Sequence, residues 1–581
     1  MRAVNLNRWS AAFALVAMLA GCAHTETSWT PETVAPPPLA KAAIEAPASL
    51  ESRAESLALP AELSGPVTLT RDGAILTTLL NNRRIEVARF GPEIDATYID
   101  ENRAVFDPRL LAQISRGRGT RQSLGFSSTG TATSGGTTAS KQLTPDNVAD
   151  LLASVQRLNE SIDALNGDND STVVGNSGSV EVQQFLPTGT LLFLTGAGTT
   201  LDHNPGGDSS QHTWTAGVSQ PLLRGAGMET NLAALRQARN IAAQSEHEFR
   251  RAVLDVVRET ERAYWELALA KEVLAIRAFG VTLANDQMKR EEELESVGKA
   301  LGGDVMTARA ERLARQADLV DAQAALKSQS IELIRLMHPE SAPRWEVGFE
   351  PQDEAEVVEV ALNADESEDL ALLYRPELAQ ARLTLANLEL DVVRTRNGRL
   401  PQLNLVGEYE GASGGESATS SNTSSSDEDT YSVGLQFEMA LFNRAERARH
   451  LRAQLSQERG AGYITQLEEE IAADVRQAMV EVERQWERLA ATAEAVLSRR
   501  EAVRVIEGRH EVGKATNLDV LQVQRDLIQS QVDDATARVR YIEALTELYA
   551  AEGTLLERRG IALDGISGRD KQQESLTDEV E

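Results

Sequence analysis

One segment of the chain carries residue types that could bind a phosphate group. Residues 508–515 read Gly-Arg-His-Glu-Val-Gly-Lys-Ala, close to the phosphate-binding loop G-x-x-x-x-G-K-[ST]. Ala515 lacks the hydroxyl that would bind Mg²⁺, and a helical pattern precedes the segment where the loop requires a strand. A second copy of this turn has Glu293 in the position of Gly508. The segment therefore predicts a turn between helices and no nucleotide site.

The other reactive residue types show no catalytic or metal-binding arrangement. The 7 histidines are scattered, without H-E-x-x-H or the paired spacing of a zinc site. Asp427, Glu428 and Asp429 could hold a cation weakly, but an acidic surface loop is the favoured interpretation. The net charge of −30 argues against nucleic acid as a partner, because phosphate binding needs clustered Lys and Arg. We predict no catalysis, no cofactor and no metal.

The N-terminus has the features of a lipoprotein signal. Arg2 and Arg8 form a positively charged segment before an apolar stretch, residues 9–19, that is too short to span a bilayer. The stretch leads into Leu-Ala-Gly-Cys, and Cys22 is the only cysteine in the chain. This run resembles a bacterial lipobox, which implies cleavage of the signal peptide 1–21 and acylation of the thiol and the amine of Cys22, for example by palmitate. Ala23 implies export to the outer membrane. An unmodified stray thiol is the alternative.

Three segments read as connections. Residues 22–68 contain many prolines and are predicted to be an extended, lipidated leader. Residues 346–364 form an acidic linker that is most simply a solvated connection. Residues 561–581 are predicted to be a disordered acidic tail. After residue 22 there is no uninterrupted apolar run of about 20 residues, so a membrane crossing would require β-strands.

The rest of the chain is a tandem repeat. Four ordered pairs of segments match: residues 82–88 with 375–381, 107–110 with 400–403, 220–223 with 439–442, and 297–305 with 512–520. They define a first repeat at 69–345 and a second at 365–560. In each repeat we predict a helix, then alternating strands, then two very long helices around a glycine turn.

The predicted strands have one apolar and one polar face. Tyr431, Val433, Leu435, Phe437 and Met439 alternate with polar residues or glycine, as period-two strands do. Such strands fit a transmembrane barrel, and a half-buried strand of a soluble protein has the same pattern. Residues 127–140 and 411–426, rich in Ser, Gly and Thr, are predicted to be long extracellular loops.

The first repeat has two predicted additions. A turn at Pro187-Thr188-Gly189 lies between segments 180–186 and 191–195 and predicts a hairpin that the second repeat lacks. A short helix is expected near residues 146–165.

The helical segments are unusually long. No proline occurs between Pro221 and Pro339 or after Pro401, and a proline inside a helix costs about 3 kcal/mol. Apolar residues from Ile471 to Val496 recur every three or four positions, as in a coiled-coil seam. A helix over residues 443–511 would be about 100 Å long at 1.5 Å per residue, enough to bridge much of a periplasm.

Residues 69–558 resemble the TolC-like outer membrane efflux family. The matching features are Phe106-Asp107-Pro108 and Leu400-Pro401 before the first strands, Gln220-Pro221-Leu222-Leu223 at a strand end, and two Val-Gly-x-x-x-x-x-Asp-Val turns. The resemblance implies an α+β fold: a trimeric outer-membrane β-barrel continued by a long periplasmic α-helical barrel, built from a tandem structural repeat. Two strands per repeat would give twelve in a trimer, and the additional hairpin could raise this number to eighteen.

The resemblance also implies roles for the two turns. An adaptor protein of an inner-membrane pump would dock at the tip turns, which are Val297, Gly298, Lys299, Val512, Gly513 and Lys514. Asp304, Asp519 and Gln522 would form the periplasmic gate.

Three positions depart from the family. Ala440 stands where the family usually has proline, Ala515 where some members have a locking arginine, and Gln522 where a second aspartate is found. These differences indicate a weaker or differently built lock. The turns also have a purely local interpretation, with glycine ending one helix and aspartate capping the next.

The sequence thus predicts a homotrimeric outer-membrane channel, lipid-anchored and extending into the periplasm, for a tripartite efflux pump or type I secretion system. It would conduct substrates passively and have no enzyme activity. The alternative is a periplasmic adaptor or coiled-coil scaffold lipoprotein, for which a single helical hairpin and a small β domain would be expected.

Overall fold

The computed structural model of the chain describes residues 67–120, 172–204, 207–298, 302–338, 348–353, 355, 357–417 and 425–563. Cys22, Lys299, the predicted loop 127–140 and the predicted helix near 146–165 lie outside these residues, as do most of the leader and tail.

The predicted duplication is visible in the order of elements. The first repeat contains β1 (Val67–Leu69), α1 (Arg71–Asn81), α2 (Arg83–Arg103), β2 (Arg109–Thr120), β3 (Thr172–Phe185), β4 (Leu191–Asn204), β5 (Gly207–Pro221), α3 (Met228–Asn231), α4 (Ala233–Ser296) and α5 (Gly302–Met337). The linker between the repeats contains β6 (Phe349–Pro351), and the second repeat contains α6 (Ala364–Tyr374), α7 (Pro376–Gly398), β7 (Gln402–Ser417), β8 (Ser425–Glu438), α8 (Arg444–Glu511), α9 (Asn517–Ala551) and α10 (Leu555–Arg558). The fold is α+β, as predicted.

Only one helix of each long pair has the predicted extreme length. Helices α4 and α8 have 64 and 68 residues, whereas α5 and α9 have 36 and 35. Helix α9 ends where Gly553 adopts a φ of 73°, and α5 ends before His338 at a φ of 43°. Such left-handed conformations end a helix.

One compact unit contains the described residues within 99–237 and 388–457. It contains a six-stranded sheet in the order β2-β3-β4-β5-β7-β8, with every neighbouring pair antiparallel. Strand β5 of the first repeat pairs with β7 of the second, so both repeats contribute to one sheet. The additional hairpin β3–β4 lies within this sheet.

The other compact unit contains the described residues 67–98, 238–387 and 458–563. Strands β1 and β6 pair in parallel within it, with Val67 opposite Phe349. The first part of the predicted seam on α8 is buried: Ile471, Val475 and Val482 are 1%, 0% and 2% exposed and pack with Tyr541 and Leu548 of α9. Farther along the seam, Ala493 is exposed. Apolar spacing along one helix therefore marks the helix–helix contact.

The acidic linker 346–364 is not simply a solvated connection, as was predicted. Its residues 349–351 form β6, and Asp353 accepts hydrogen bonds from the Arg71 backbone N–H at 2.6 Å and the Tyr264 hydroxyl at 2.8 Å. This part of the linker is bound to the helical unit, because a carboxylate can satisfy a backbone donor that a helix start leaves unpaired.

The loop predicted at residues 411–426 is also shorter than expected. Strand β7 continues to Ser417 and β8 begins at Ser425, which places Asp427, Glu428 and Asp429 in a strand. Small polar side chains do not interrupt a ladder that is held by backbone hydrogen bonds.

Candidate functional site

The turn between α8 and α9 is closed by backbone hydrogen bonds around a glycine. Gly513 has a φ of 71°. Its N–H donates to the His510 carbonyl at 2.9 Å, and the Lys514 N–H donates to the Arg509 carbonyl at 2.8 Å. These two bonds form a Schellman motif, in which a left-handed glycine satisfies the last carbonyl groups of a helix. The segment that resembles a phosphate-binding loop is therefore a helix end.

Asp519 caps the beginning of α9. The Asp519 N–H donates to Thr516 Oγ1 at 3.2 Å. In return, the Thr516 N–H and hydroxyl donate to Asp519 Oδ2 at 2.8 and 2.7 Å. This capping box satisfies donors that a helix start leaves unpaired. The backbone N–H and then the hydroxyl of Thr516 lower the pKa of Asp519 below its ordinary value, because both bonds favour the ionised carboxylate.

The first-repeat turn has the same glycine geometry. Gly298 has a φ of 74°, and its N–H donates to the Glu295 carbonyl at 2.9 Å. Val297 and its counterpart Val512 are 65% and 66% exposed. Asp304 lies in the first turn of α5 and is half-buried. In both turns the structure thus presents an exposed valine at the end of a long helix.

A buried polar network joins the two turns. His510 Nε2 lies 3.0 Å from Oε1 of Glu291, which is 1% exposed. The amide of Gln287 donates to the same Glu291 oxygen at 2.7 Å and to Asn517 Oδ1 at 3.1 Å. Asn517 Nδ2 in turn donates to the Asp304 carbonyl at 3.0 Å. The network therefore connects the turn ends of α4, α5, α8 and α9.

The hydrogen-bond partners of His510 indicate where hydrogens lie in its two contacts. Its Nδ1 lies 3.0 Å from the Ala515 carbonyl, which can only accept, so Nδ1 carries a hydrogen. The contact between Nε2 and Glu291 then needs one further proton, either on Nε2 facing a carboxylate or on Glu291 facing the ring nitrogen. In the first arrangement the contact is a charge-assisted hydrogen bond between two helices.

The structure brings together part of the predicted gate. The bond between Asn517 and the Asp304 carbonyl sets the first turns of α5 and α9 side by side. Asp519 and Gln522 are exposed on α9. Sequence reasoning missed the buried Gln287, Glu291 and Asn517 and the half-buried His510 of this network. Their polarity was visible in the sequence, but nothing in its local pattern indicated that they face another helix.

The sheet presents a second surface of interest. Tyr431, Val433, Leu435 and Phe437 of β8 are 83%, 77%, 66% and 63% exposed, and all four point to one face. Large exposed apolar surfaces mark contact with a partner or with lipid.

Among the helices that the structure describes, none combines the length and the apolar character needed to cross a bilayer. Nor do the described residues contain a metal-binding group of His, Cys, Asp and Glu.

Comparison with known proteins places the chain in one family. The family model described as "Outer membrane efflux protein" matches residues 181–337 and 369–554. The outer membrane protein TolC of Vibrio cholerae serotype O1 is 24% identical over 336 residues, which cover 56% of this chain and 73% of TolC.

Solved structures share the fold at low sequence identity. The CmeC outer membrane channel of Campylobacter jejuni is 14% identical with a TM-score of 0.56, covering 87% of this chain and 89% of CmeC. The MtrE outer membrane channel of Neisseria gonorrhoeae, in its open state, is 17% identical with a TM-score of 0.52, covering 84% of this chain and 90% of MtrE.

Proposed function

This chain belongs to the outer membrane efflux protein family, and we propose that three copies of it form a passive duct for an inner-membrane pump. As a member of this family it is an outer-membrane channel subunit with a duplicated α+β fold. The pump would supply the energy and much of the selectivity.

The apolar face of the sheet is the observation that carries this proposal. One row of paired residues crosses all six strands: Leu110, Val182, Leu194, Ala216, Tyr409 and Tyr431. The next row, on the opposite face, is mostly polar: Leu111, Glu181, Thr195, Thr215, Glu410 and Thr430. Lipid on one face and water on the other account for both rows.

The two turns support docking of a periplasmic adaptor protein. Their exposed residues are two valines in equivalent positions, and the buried network behind them fixes both turns in one arrangement. In a trimer, six such turns would surround one axis, with Asp304 and Asp519 near the gate. An adaptor or scaffold protein would have one helical hairpin, whereas this chain has two and a six-stranded sheet.

The lipobox supports a second membrane anchor. Acylation of Cys22, followed by the proline-rich leader, would attach the chain to the outer membrane in addition to the sheet. Because both the thiol and the amine of Cys22 would be acylated, the lipid would give stable anchoring, and it would act alongside the folded barrel.

A pair of neighbouring residues on β8 tests the proposal. Val433 lies on the apolar face and Ser432 on the polar face. Val433→Arg should sharply reduce the detergent-extracted, heat-modifiable trimer and its channel activity in planar bilayers, because arginine on the lipid face costs about 2–4 kcal/mol at mid-membrane. Ser432→Arg, the matched control, should assemble normally. Equal behaviour of the two variants, or a protein that is soluble without its lipid, would contradict the proposal.

A further inference from the structure

We infer that the β3–β4 hairpin is part of the channel wall, so that each chain contributes six strands and a trimer eighteen. This inference rests on the proposed function, and it concerns the width of the duct. A chain with two strands from each repeat would close a twelve-stranded barrel. The diameter of a barrel grows roughly in proportion to its strand number, so eighteen strands widen it by about half.

The hairpin is paired along its whole length on both sides. Strand β3 pairs with β2 from Arg109 opposite Gln183 to Thr120 opposite Thr172. Strand β4 pairs with β5 from Leu191 opposite Ser219 to His203 opposite Gly207. A hairpin folded over the mouth of a four-stranded wall would leave β2 to pair with β5. Here β3 and β4 separate these two strands completely.

The faces of the hairpin continue those of its neighbours. Val182 lies between Leu110 and its β4 partner Leu194 on the apolar face. One position along, Glu181 lies opposite Thr195 on the polar face. A one-residue slip would exchange the two faces, so this register places the hairpin in the same lipid–water boundary as the other four strands.

The turn of the hairpin is hydrogen-bonded to the segment that follows β5. Gly189 adopts a φ of 91°, and a Cβ at this position would lie 2.2 Å from the Gly225 carbonyl oxygen. The side-chain amide of Asn231 donates to the carbonyls of Pro187, Gly225 and Gly227 at 3.2, 3.0 and 3.0 Å. The Gly227 N–H closes the contact by donating to the Thr188 carbonyl at 3.2 Å. A hairpin that moved independently of the sheet would not require these contacts at its turn.

Closure of the wall follows from the strand order. The outer strands β2 and β8 each have a neighbour on one side only, and an unpaired edge is not tolerated in hydrocarbon. Six strands are fewer than the eight of the smallest membrane barrels, so the edges must be paired by other copies. Because the number of strands per chain is even and every pair is antiparallel, β8 of one copy meets β2 of the next in the antiparallel sense.

Spin labels on single cysteines can test the wall position of the hairpin. We would place them in trimers reconstituted in lipid vesicles, on β3 and β4 at Val180 and Leu194 (apolar face) and at Ser179 and Thr195 (polar face). Leu405 and Glu408 on β7 provide matched controls on the two faces. The wild-type chain, with Cys22 as its only cysteine, measures background labelling.

The readout is the collision rate of each label with oxygen, which enriches in lipid, relative to a water-soluble nickel chelate. The ratio should be high at Val180, Leu194 and Leu405, and low at Ser179, Thr195 and Glu408. A β7 pair that alternates while all four hairpin labels remain accessible to water would overturn the eighteen-stranded wall and leave the proposed function intact. Labels that do not alternate even on β7 would overturn the proposed function itself.

Discussion

His510 and Glu291 are separated by 219 residues in sequence, yet His510 Nε2 and Glu291 Oε1 lie 3.0 Å apart at the turn ends of two different helices. Helix α8, which ends next to His510, belongs to the second repeat, whereas Glu291 lies in the last turns of α4 in the first. The two copies of the duplicated turn are thus connected by a contact between the two repeats.

Removal of this contact should loosen both turns. In His510→Ala, Glu291 remains buried and loses one of its partners, which typically costs about 1–3 kcal/mol. Local opening would then be favoured roughly 5- to 150-fold, and amide hydrogen exchange over residues 509–519 should accelerate accordingly. Hydrogen exchange followed by mass spectrometry measures this change. Glu511→Gln, an exposed neighbour, is the control. An equal effect in both variants would contradict a specific role of the contact between His510 and Glu291.

The capping box predicts a dependence on acid. Because the pKa of Asp519 is lower in the folded chain than in the unfolded one, its contribution to stability is complete above the unfolded pKa and is lost as the pH falls through the folded pKa. Exchange of residues 516–520, corrected for intrinsic rates, should therefore increase as the pH is lowered below about 4. Asp519→Asn should abolish this extra pH dependence. A wild-type profile identical to that of the variant would refute the argument.

The proposed gate makes an electrical prediction. Carboxylates gathered around one axis attract cations, so Asp304→Asn combined with Asp519→Asn should weaken block by trivalent cations and lower cation selectivity, while trimers still assemble. Single-channel recording in planar bilayers measures both quantities.

Thr516→Ala is the informative control for the gate, because it removes the hydroxyl of the cap at a cost of about 1 kcal/mol and leaves both charges in place. It should retain the block. Unchanged block in the double variant would mean that Asp304 and Asp519 act only at the starts of their helices and do not form the gate.

The clamped hairpin turn should be intolerant of a side chain. Gly189→Ala introduces a Cβ into a left-handed turn that already contacts Gly225, at a cost of about 1–3 kcal/mol. The yield of heat-modifiable trimer should fall and its dissociation temperature should drop. Gly196→Ala in the adjacent strand β4 is the control, since no heavy atom lies within 4 Å of the added Cβ. If both variants assembled equally well, the base of the hairpin would not be a fixed part of the wall.

Lipid attachment can be tested by metabolic labelling. Cys22→Ala should abolish incorporation of labelled palmitate, because no other cysteine is available. Export activity should be reduced but not lost, since the folded sheet provides its own membrane anchor. Undiminished labelling of the variant would exclude Cys22 as the acylated residue.

The sequence by itself determined the order of the long helices and of the strands of the large sheet, and the faces of those strands. Local rules were sufficient for this purpose, because helices and strands impose periods of 3.6 and 2 on neighbouring residues. The spacing of Ile471, Val475 and Val482 marked a helix contact that is buried in the structure, and the alternation of Tyr431, Val433 and Leu435 marked the apolar face of β8. The glycines of both turns were also recognisable, since a left-handed helix end favours this residue.

Only the tertiary structure decided which elements meet. The position of β3–β4 between β2 and β5, the pairing of β5 with β7, and the contact of His510 with Glu291 all join residues that are far apart in the chain. A local pattern contains no information about such partners, because an apolar face or a buried carboxylate can be satisfied by any complementary element. The partner is selected by the packing and hydrogen bonding of the whole chain, and the number of strands in each subunit is decided at that level.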